Sequence, residues 1–278
     1  MLMTSLLLFA ASGRPATSYR GLAYERTGSG PGVVLLHCLG GDRTVWDEEA
    51  PRLARTHTVL NVELPGHGQS SAPARVDFAE IANQVTQLIR NQRLARAVVI
   101  GHSIGGTLAA WTPVADSAAV KAVLIVDSSI AALPWPQNAL DDLRKSLTAN
   151  YVAGLRSFYA PIANGPAQIE RLISTARHVP RETLLAYLEF AVHNSVVKDL
   201  GKINVPVEMI SSSLSFQTSN HKKELAEAGY DGLKDFSSEE MSGTKHWVYW
   251  DQPQRYASLV DAFLRRVEAA GERRPSTR

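Results

Sequence analysis

The stretch GHSIG at residues 101–105 is where residue types and spacing most directly suggest chemistry. It follows an apolar run and opens a helical pattern, so a sharp turn from strand to helix is expected at Ser103. Small residues two positions before and after the serine allow the backbone to cross tightly in such a turn. The turn would raise the Ser103 hydroxyl above the edge of a sheet. The pattern therefore predicts a nucleophilic serine, which needs a base because a neutral hydroxyl is a poor nucleophile.

The elements that would position this serine are short apolar runs that alternate with helical patterns. Runs typical of buried strands occur at 32–37, 57–63, 97–101 and 122–127. Between them, TVWDEEAPRLAR and VDFAEIANQVTQLIRNQ predict helices. Strand-like segments resume with VPVEMISS and DFSSEEM, and PQRYASLVDAFLRRVEAA predicts a final amphipathic helix. This alternation predicts a parallel sheet with helices on both faces.

The alternation of strand and helix patterns stops at residue 131, and from there to about residue 198 only helical patterns occur. We interpret 131–198 as a helical lid inserted after the strand that ends at Asp127. The core domain would then comprise residues 1–130 and 199–278, and the tail after 271 is expected to be disordered.

Composition restricts the possible partners. The 278 residues are 45% hydrophobic and 20% charged, as in soluble globular proteins. With 29 Lys and Arg scattered against 27 Asp and Glu, nothing suggests nucleic-acid binding. The single cysteine, Cys38, rules out an internal disulfide and a Cys-based zinc site. No cofactor or metal is expected.

Four segments in order resemble the α/β-hydrolase superfamily over about residues 20–270. LLHCLGG is similar to the family's strand and His-Gly loop, ELPGHGQS to its D-x-P-G-x-G-x-S turn, GHSIGG to its nucleophile elbow and KHWVYWDQP to its terminal histidine segment. Cys38 and Glu63 depart from the family's usual glycine and aspartate. The resemblance implies an α/β-hydrolase fold with a mostly parallel central sheet.

The resemblance also assigns roles to residues around Ser103. His246, between a predicted strand and the last helix, matches the position of the family's base. The backbone N–H groups of Ile104 and Leu39 would form the oxyanion hole. The family places substrate selection in the lid, so Trp135 and Trp247 are candidate substrate-binding residues.

A triad needs an acid, and the sequence lacks one where the family most often has it. That position, after VPVEMISS, is Ser215. Asp127 ends a neighbouring predicted strand, and some lipases and many haloalkane dehalogenases of this superfamily carry their acid there. We therefore predict Asp127 as the triad acid. Glu208, Glu224 or no acid at all are the alternatives.

These residues predict a cofactor-free serine hydrolase that cleaves a small apolar carboxylic ester or lactone through an acyl-enzyme. A C–C bond hydrolase, a perhydrolase-like enzyme or a non-catalytic ligand receptor on the same fold remain alternatives. The sequence leaves the oligomeric state open.

The N-terminal segment MLMTSLLLFAASG is too short to span a membrane. We favour a first β-strand and a cytoplasmic location. The alternative, a signal peptide within residues 1–12, would imply a secreted or periplasmic protein.

Overall fold

A computed structural model describes residues 16–216 and 220–272 of the chain. Its described part contains a sheet of eight strands in the order β1-β2-β4-β3-β5-β6-β7-β8. The strands are β1 Thr17–Tyr19, β2 Leu22–Thr27, β3 Gly32–Leu36, β4 Thr58–Val62, β5 Ala97–His102, β6 Val120–Val126, β7 Val207–Ser212 and β8 Phe236–Met241. Strand β2 pairs antiparallel with β1 and β4, and the remaining pairs are parallel.

The central strands are buried because helices cover both faces of the sheet. Every residue of β3, β4, β5 and β7 is buried, as continuous apolar runs in a parallel sheet require. The helices are α1 Glu49–Leu53, α2 Phe78–Asn91, α3 Ile104–Asp116, α4 Gln137–Ala149, α5 Tyr151–Tyr159, α6 Pro166–Ala176, α7 Arg181–His193, α8 His221–Glu227, α9 Val248–Asp251 and α10 Pro253–Glu272. The predicted α/β-hydrolase fold with a mostly parallel sheet is confirmed.

One predicted helix is divided into two, and the helical segment after Pro136 is interrupted as well. TVWDEEAPRLAR forms a 3₁₀ helix at Arg43–Trp46 and the short helix α1. The long helical pattern after Pro136 breaks at Asn150, whose backbone is extended and whose side chain accepts a hydrogen bond from the N–H of Ala153. Asparagine caps a helix in this way by satisfying a free N–H of the first turn, so α5 starts in a new direction.

The segment between β6 and β7 adds no strand to the described sheet. It contains α4, α5, α6 and α7, followed by a 3₁₀ helix at Val197–Lys202. The sequence SYRGLAYERTG forms the antiparallel pair β1 and β2. The first strand or signal peptide expected within residues 1–12, and the tail beyond α10, lie outside the described residues. Among the helices described, none is long and apolar enough to cross a membrane.

Candidate active site

Ser103 lies at the sharp turn between β5 and α3. Its backbone adopts φ 55° and ψ −124°, a conformation that is strained for a residue with a side chain. A Cβ atom at Gly101 would collide with the backbone of Gly105, and one at Gly105 would collide with the carbonyl groups of Leu36 and His37. The glycines thus let β5, α3 and β3 approach closely enough to hold the serine in this conformation.

His246 and Asp127 are 119 positions apart in the sequence and are brought together by the fold. The distance between His246 Nδ1 and Asp127 Oδ2 is 2.6 Å. The Asp127 side chain is fully buried, whereas 14% of the His246 side chain is exposed. Because the carboxylate is an acceptor, Nδ1 carries the proton and Nε2 is left unprotonated in the neutral ring.

The Asp127 carboxylate is held by two further donors, one from the last residue of β7 and one from the turn after it. The backbone N–H of Ser212 donates to Oδ1 at 2.7 Å, and the Ser215 hydroxyl donates to Oδ2 at 2.8 Å. The backbone of Asp127 has φ 45°, and its N–H donates to the carbonyl of Ile210 at 2.8 Å. Ser103 and Asp127 are two of the four described non-glycine residues with positive φ. Such strain is common at functional sites.

His102, next to Ser103, supports the segment that carries His246. Its Nε2–H donates to the backbone carbonyl of His246 at 2.9 Å, so its Nδ1 is an acceptor and receives the Tyr249 hydroxyl at 3.0 Å. Burial lowers the pKa of His102 well below its ordinary value, and nearby His246 lowers this pKa further. His102 therefore stays neutral and links the turn at Ser103 to the segment of His246.

The other acids considered from the sequence are placed differently. Glu208 lies within β7, where its Oε2 accepts from Arg266 at 2.6 Å and from Ser237 at 2.9 Å. Glu224 lies in the first turn of α8. Asp127 is the carboxylate that contacts His246.

Leu39 and Ile104, the expected oxyanion-hole residues, follow β3 and β5, which are neighbouring strands. Ile104 is the first residue of α3, at the positive end of the helix dipole. Neither backbone N–H donates to another group within the described part of the chain. Both amides therefore remain candidates for the oxyanion hole.

Two buried histidines hold the loop that contains Leu39. His37 Nδ1–H donates to the carbonyl of Cys38 at 2.8 Å, and its Nε2 accepts from the N–H of Leu64 at 2.9 Å. His67 Nε2 accepts from the N–H of Gly40 at 3.3 Å. Burial lowers the pKa of His37, and it lowers the pKa of His67 to about 3. Burial also raises the pKa of the Cys38 thiol to about 12, so this cysteine is a poor nucleophile.

Aromatic residues of the segment between β6 and β7 pack in two groups. One group is a row of neighbouring rings that leads from the inserted segment to the candidate base. The ring centroids are 6.2 Å apart for Trp135 and Phe158, 5.1 Å for Phe158 and Tyr159, 5.9 Å for Tyr159 and Trp247, and 4.9 Å for Trp247 and His246. Tyr187 and Phe190 instead pack against Phe78 of α2.

Several supporting residues were missed from the sequence. The contacts of Ser212 and Ser215 with Asp127 join residues more than 80 positions apart, and Tyr249 reaches His102 across 147 positions. One signal was available for Ser215, because it stands where a triad acid was expected. In residues 16–216 and 220–272, no cluster of three or more His, Cys, Asp or Glu side chains could hold a metal ion.

Comparisons with known proteins agree with this architecture. Residues 33–259 match the model of the alpha/beta hydrolase family. The chain is 24% identical over 258 residues to a pimeloyl-[acyl-carrier protein] methyl ester esterase of Aeromonas hydrophila, covering 87% of this chain and 99% of the relative. It is 25% identical over 274 residues to an uncharacterized protein of Mycobacterium tuberculosis, covering 89% of this chain and 79% of the relative.

Among solved structures, the enol-lactonase of Burkholderia xenovorans is similar with a TM-score of 0.76. It is 20% identical in sequence, and the likeness covers 90% of this chain and 99% of the lactonase. At this identity the likeness supports the fold alone. The family match over most of the chain carries the classification: this protein belongs to the alpha/beta hydrolase family.

Proposed function

We propose that this protein is a serine hydrolase that cleaves a small apolar carboxylic ester or lactone. The observation that carries the proposal is the 2.6 Å contact between His246 Nδ1 and the buried Asp127 carboxylate. The His246 ring centroid lies 4.6 Å from that of His102, the residue before Ser103 in its strained turn. An imidazole whose Nδ1–H is held by a carboxylate presents an unprotonated Nε2, which is the form that can accept a proton from a serine.

In the proposed reaction, Ser103 Oγ attacks the carbonyl carbon of the ester while His246 Nε2 takes the hydroxyl proton. Asp127 stabilises the imidazolium that forms. The carbonyl oxygen becomes negative and accepts hydrogen bonds from the N–H groups of Leu39 and Ile104. Collapse of this intermediate breaks the C–O bond, and His246 passes its proton to the leaving alcohol oxygen. Water, deprotonated by His246, then hydrolyses the acyl-enzyme.

The named activities of relatives support an ester or lactone as the bond class. The Aeromonas relative is named as a methyl ester esterase, and the structural relative from Burkholderia is an enol-lactonase. We further propose that residues 131–198 form a lid over Ser103 and that Trp135 and Trp247 contact the substrate. The ring contacts that lead from Trp135 to His246 support this part of the proposal.

The test is hydrolysis of p-nitrophenyl esters, lactones and amides by the wild type and by Ser103→Ala. We expect ester or lactone turnover in the wild type and a loss of about a million-fold in the variant, because a triad without its nucleophile fails as a unit. A fluorophosphonate probe should label the wild type and not Ser103→Ala. Ser117→Ala, which removes an exposed serine next to the other end of α3, is the matched control and should label normally. Unchanged turnover in folded Ser103→Ala would refute the mechanism.

A further inference from the structure

The backbone around Leu39 is fixed by hydrogen bonds on both sides of the amide that we assign to the oxyanion hole. The carbonyl of Cys38 accepts from His37 Nδ1 at 2.8 Å and from the N–H of Gly41 at 3.1 Å. The next peptide group is held at both ends: the carbonyl of Leu39 accepts from the Tyr159 hydroxyl at 3.2 Å, and the N–H of Gly40 donates to His67 at 3.3 Å. We call residues 38–41 the oxyanion loop.

One of these donors comes from the helical insertion and not from the core. Tyr159 is the last residue of α5, and it is only 1% exposed. The insertion makes a second bond to the same loop, because Thr175 Oγ1 of α6 donates to the carbonyl of Gly40 at 3.1 Å. Two successive carbonyl groups of the oxyanion loop are thus held by hydroxyls of the insertion.

The oxyanion loop has room for the Tyr159 hydroxyl because residue 40 is a glycine. Gly40 has φ +72°, and a Cβ atom there would collide with Tyr159 Oη and press on Ala176. A side chain at position 40 would therefore push Tyr159 away from the carbonyl of Leu39. Burial raises the pKa of Tyr159 well above its ordinary value, so its hydroxyl stays protonated and remains a donor.

We propose that Tyr159 is a positioning residue, which orients the Leu39 amide of the oxyanion hole from the helical insertion. The inference rests on the proposed function, because it assigns the Leu39 N–H to the oxyanion. Donors of an oxyanion hole act only when they are aimed beforehand at the place where negative charge develops. The insertion would then contribute to turnover as well as to substrate binding.

The test compares Tyr159→Phe with wild type, using Tyr151→Phe as the matched control. Tyr151 also belongs to α5, but its hydroxyl bonds to carbonyls of the insertion itself, at Val179 and Ala176. We expect Tyr159→Phe to lower kcat for p-nitrophenyl esters by about tenfold, part of the hundredfold or more that a whole oxyanion donor supplies. KM should change far less, and Tyr151→Phe should keep wild-type kcat.

A trifluoromethyl ketone inhibitor separates positioning from general packing, because its adduct with the serine carries a negative oxygen. Its inhibition constant should rise in Tyr159→Phe by the same factor as kcat falls. If Tyr159→Phe is unstable, Thr175→Val serves as the second variant, because it removes the hydroxyl that donates to the Gly40 carbonyl. Thr175→Val should also lower kcat and raise the inhibition constant. Wild-type kcat and inhibitor affinity in a folded variant, or a change in KM alone, would overturn the inference.

Hydrogen exchange of residues 33–44 tests the same contact without a substrate. We expect the Gly40 amide, which His67 holds, to exchange faster in Tyr159→Phe than in wild type and Tyr151→Phe. If the wild type hydrolyses no ester, the proposed function fails, while equal exchange in all three proteins would count against the role of Tyr159 alone.

Discussion

At the scale of single residues, the carboxylate of Asp127 is the group whose surroundings are most specific. Oδ1 accepts from the backbone of Ser212, while Oδ2 accepts from Ser215 and faces His246. The backbone donor cannot turn, so the oxygen on that side must stay an acceptor. This arrangement determines how the side-chain amide of an asparagine at position 127 would be oriented.

Replacing Asp127 with asparagine should fix the wrong tautomer of His246. The amide oxygen would stay on the Ser212 N–H, so the amide NH₂ group would face His246 Nδ1 and force the ring proton onto Nε2. That nitrogen could then no longer accept the Ser103 proton. We expect ester turnover to fall by about ten-thousand-fold with little change in stability, measured by steady-state kinetics and thermal unfolding.

A second substitution tests whether a carboxylate after β7 can replace the one after β6 as the partner of His246. Ser215→Asp in the Asp127→Asn background should recover part of the activity, because the Ser215 hydroxyl lies 2.8 Å from the carboxylate oxygen that faces His246. Leu214→Asp in the same background is the control, since Leu214 is exposed and adjacent in sequence. Near-normal turnover in Asp127→Asn alone would exclude Asp127 as the triad acid.

At the scale of elements, the pairing of β5, β6 and β7 explains how the acid can be on β6. The three strands are parallel neighbours, with Val126 beside both His102 and Ile210. The turns that follow them therefore meet at one edge of the sheet. An acid after β6 and an acid after β7 can both approach the same side of a histidine that follows β8.

We propose that the substrate pocket extends from Trp135 of the inserted segment to Phe158, whose ring packs against it. Phe158 of α5 is half-buried between Trp135 and Tyr159. Phe158→Ala would remove apolar surface from that pocket. We expect kcat/KM for p-nitrophenyl hexanoate to fall relative to the acetate by about tenfold, the scale of one or two methylene contacts. Phe190→Ala, which removes a half-buried ring stacked on Phe78, is the control and should leave the ratio unchanged.

At the scale of the whole molecule, three neutral histidines are buried: His37, His67 and His102 are each at most 1% exposed. Each accepts a hydrogen bond on one ring nitrogen. Protonation of that nitrogen in the folded state would place its new N–H opposite the donor and break the hydrogen bond. Burial is the main reason that their pKa values lie below the ordinary value, and that of His67 falls to about 3.

Acid should therefore destabilise the fold well above the pH at which carboxylates protonate. Unfolded histidines bind protons below about pH 6.5. In the folded state His67 stays neutral to about pH 3, and burial also lowers the pKa values of His37 and His102. The unfolded state gains protons first, so stability is complete above about 6.5 and falls with decreasing pH. The slope is about 1.4 kcal/mol per pH unit for each such histidine.

Urea unfolding between about pH 7 and pH 5 measures this slope. His67→Gln should reduce the slope, because one proton fewer is taken up on unfolding, while its amide oxygen can still accept from Gly40. His178→Gln, at an exposed position, tests whether any histidine has this effect and should leave the slope unchanged. A wild-type stability that does not depend on pH in this range would contradict the prediction.

The sequence by itself determined the features that depend on local pattern. Apolar runs alternating with helical periods predicted the strands β3 to β7 and the order of helices around them. GHSIG predicted the turn at Ser103, since glycines are required where backbones approach closely. The absence of an acid after β7 also led to the prediction of Asp127, because parallel strands end at one edge of the sheet. Helix boundaries were less accurate, since the capping side chain at Asn150 and the 3₁₀ turn at Arg43–Trp46 depend on local detail.

Tertiary structure alone decided which distant groups meet. The hydroxyl of Ser215 on Asp127, the imidazole of His102 on the carbonyl of His246 and the hydroxyl of Tyr159 on the carbonyl of Leu39 each join residues 88 or more positions apart. No local pattern encodes such hydrogen bonds, because they depend on how strands pair and how the insertion packs against the core. The candidate reactive residues are thus readable from short motifs, whereas their alignment follows from the packing of the whole chain.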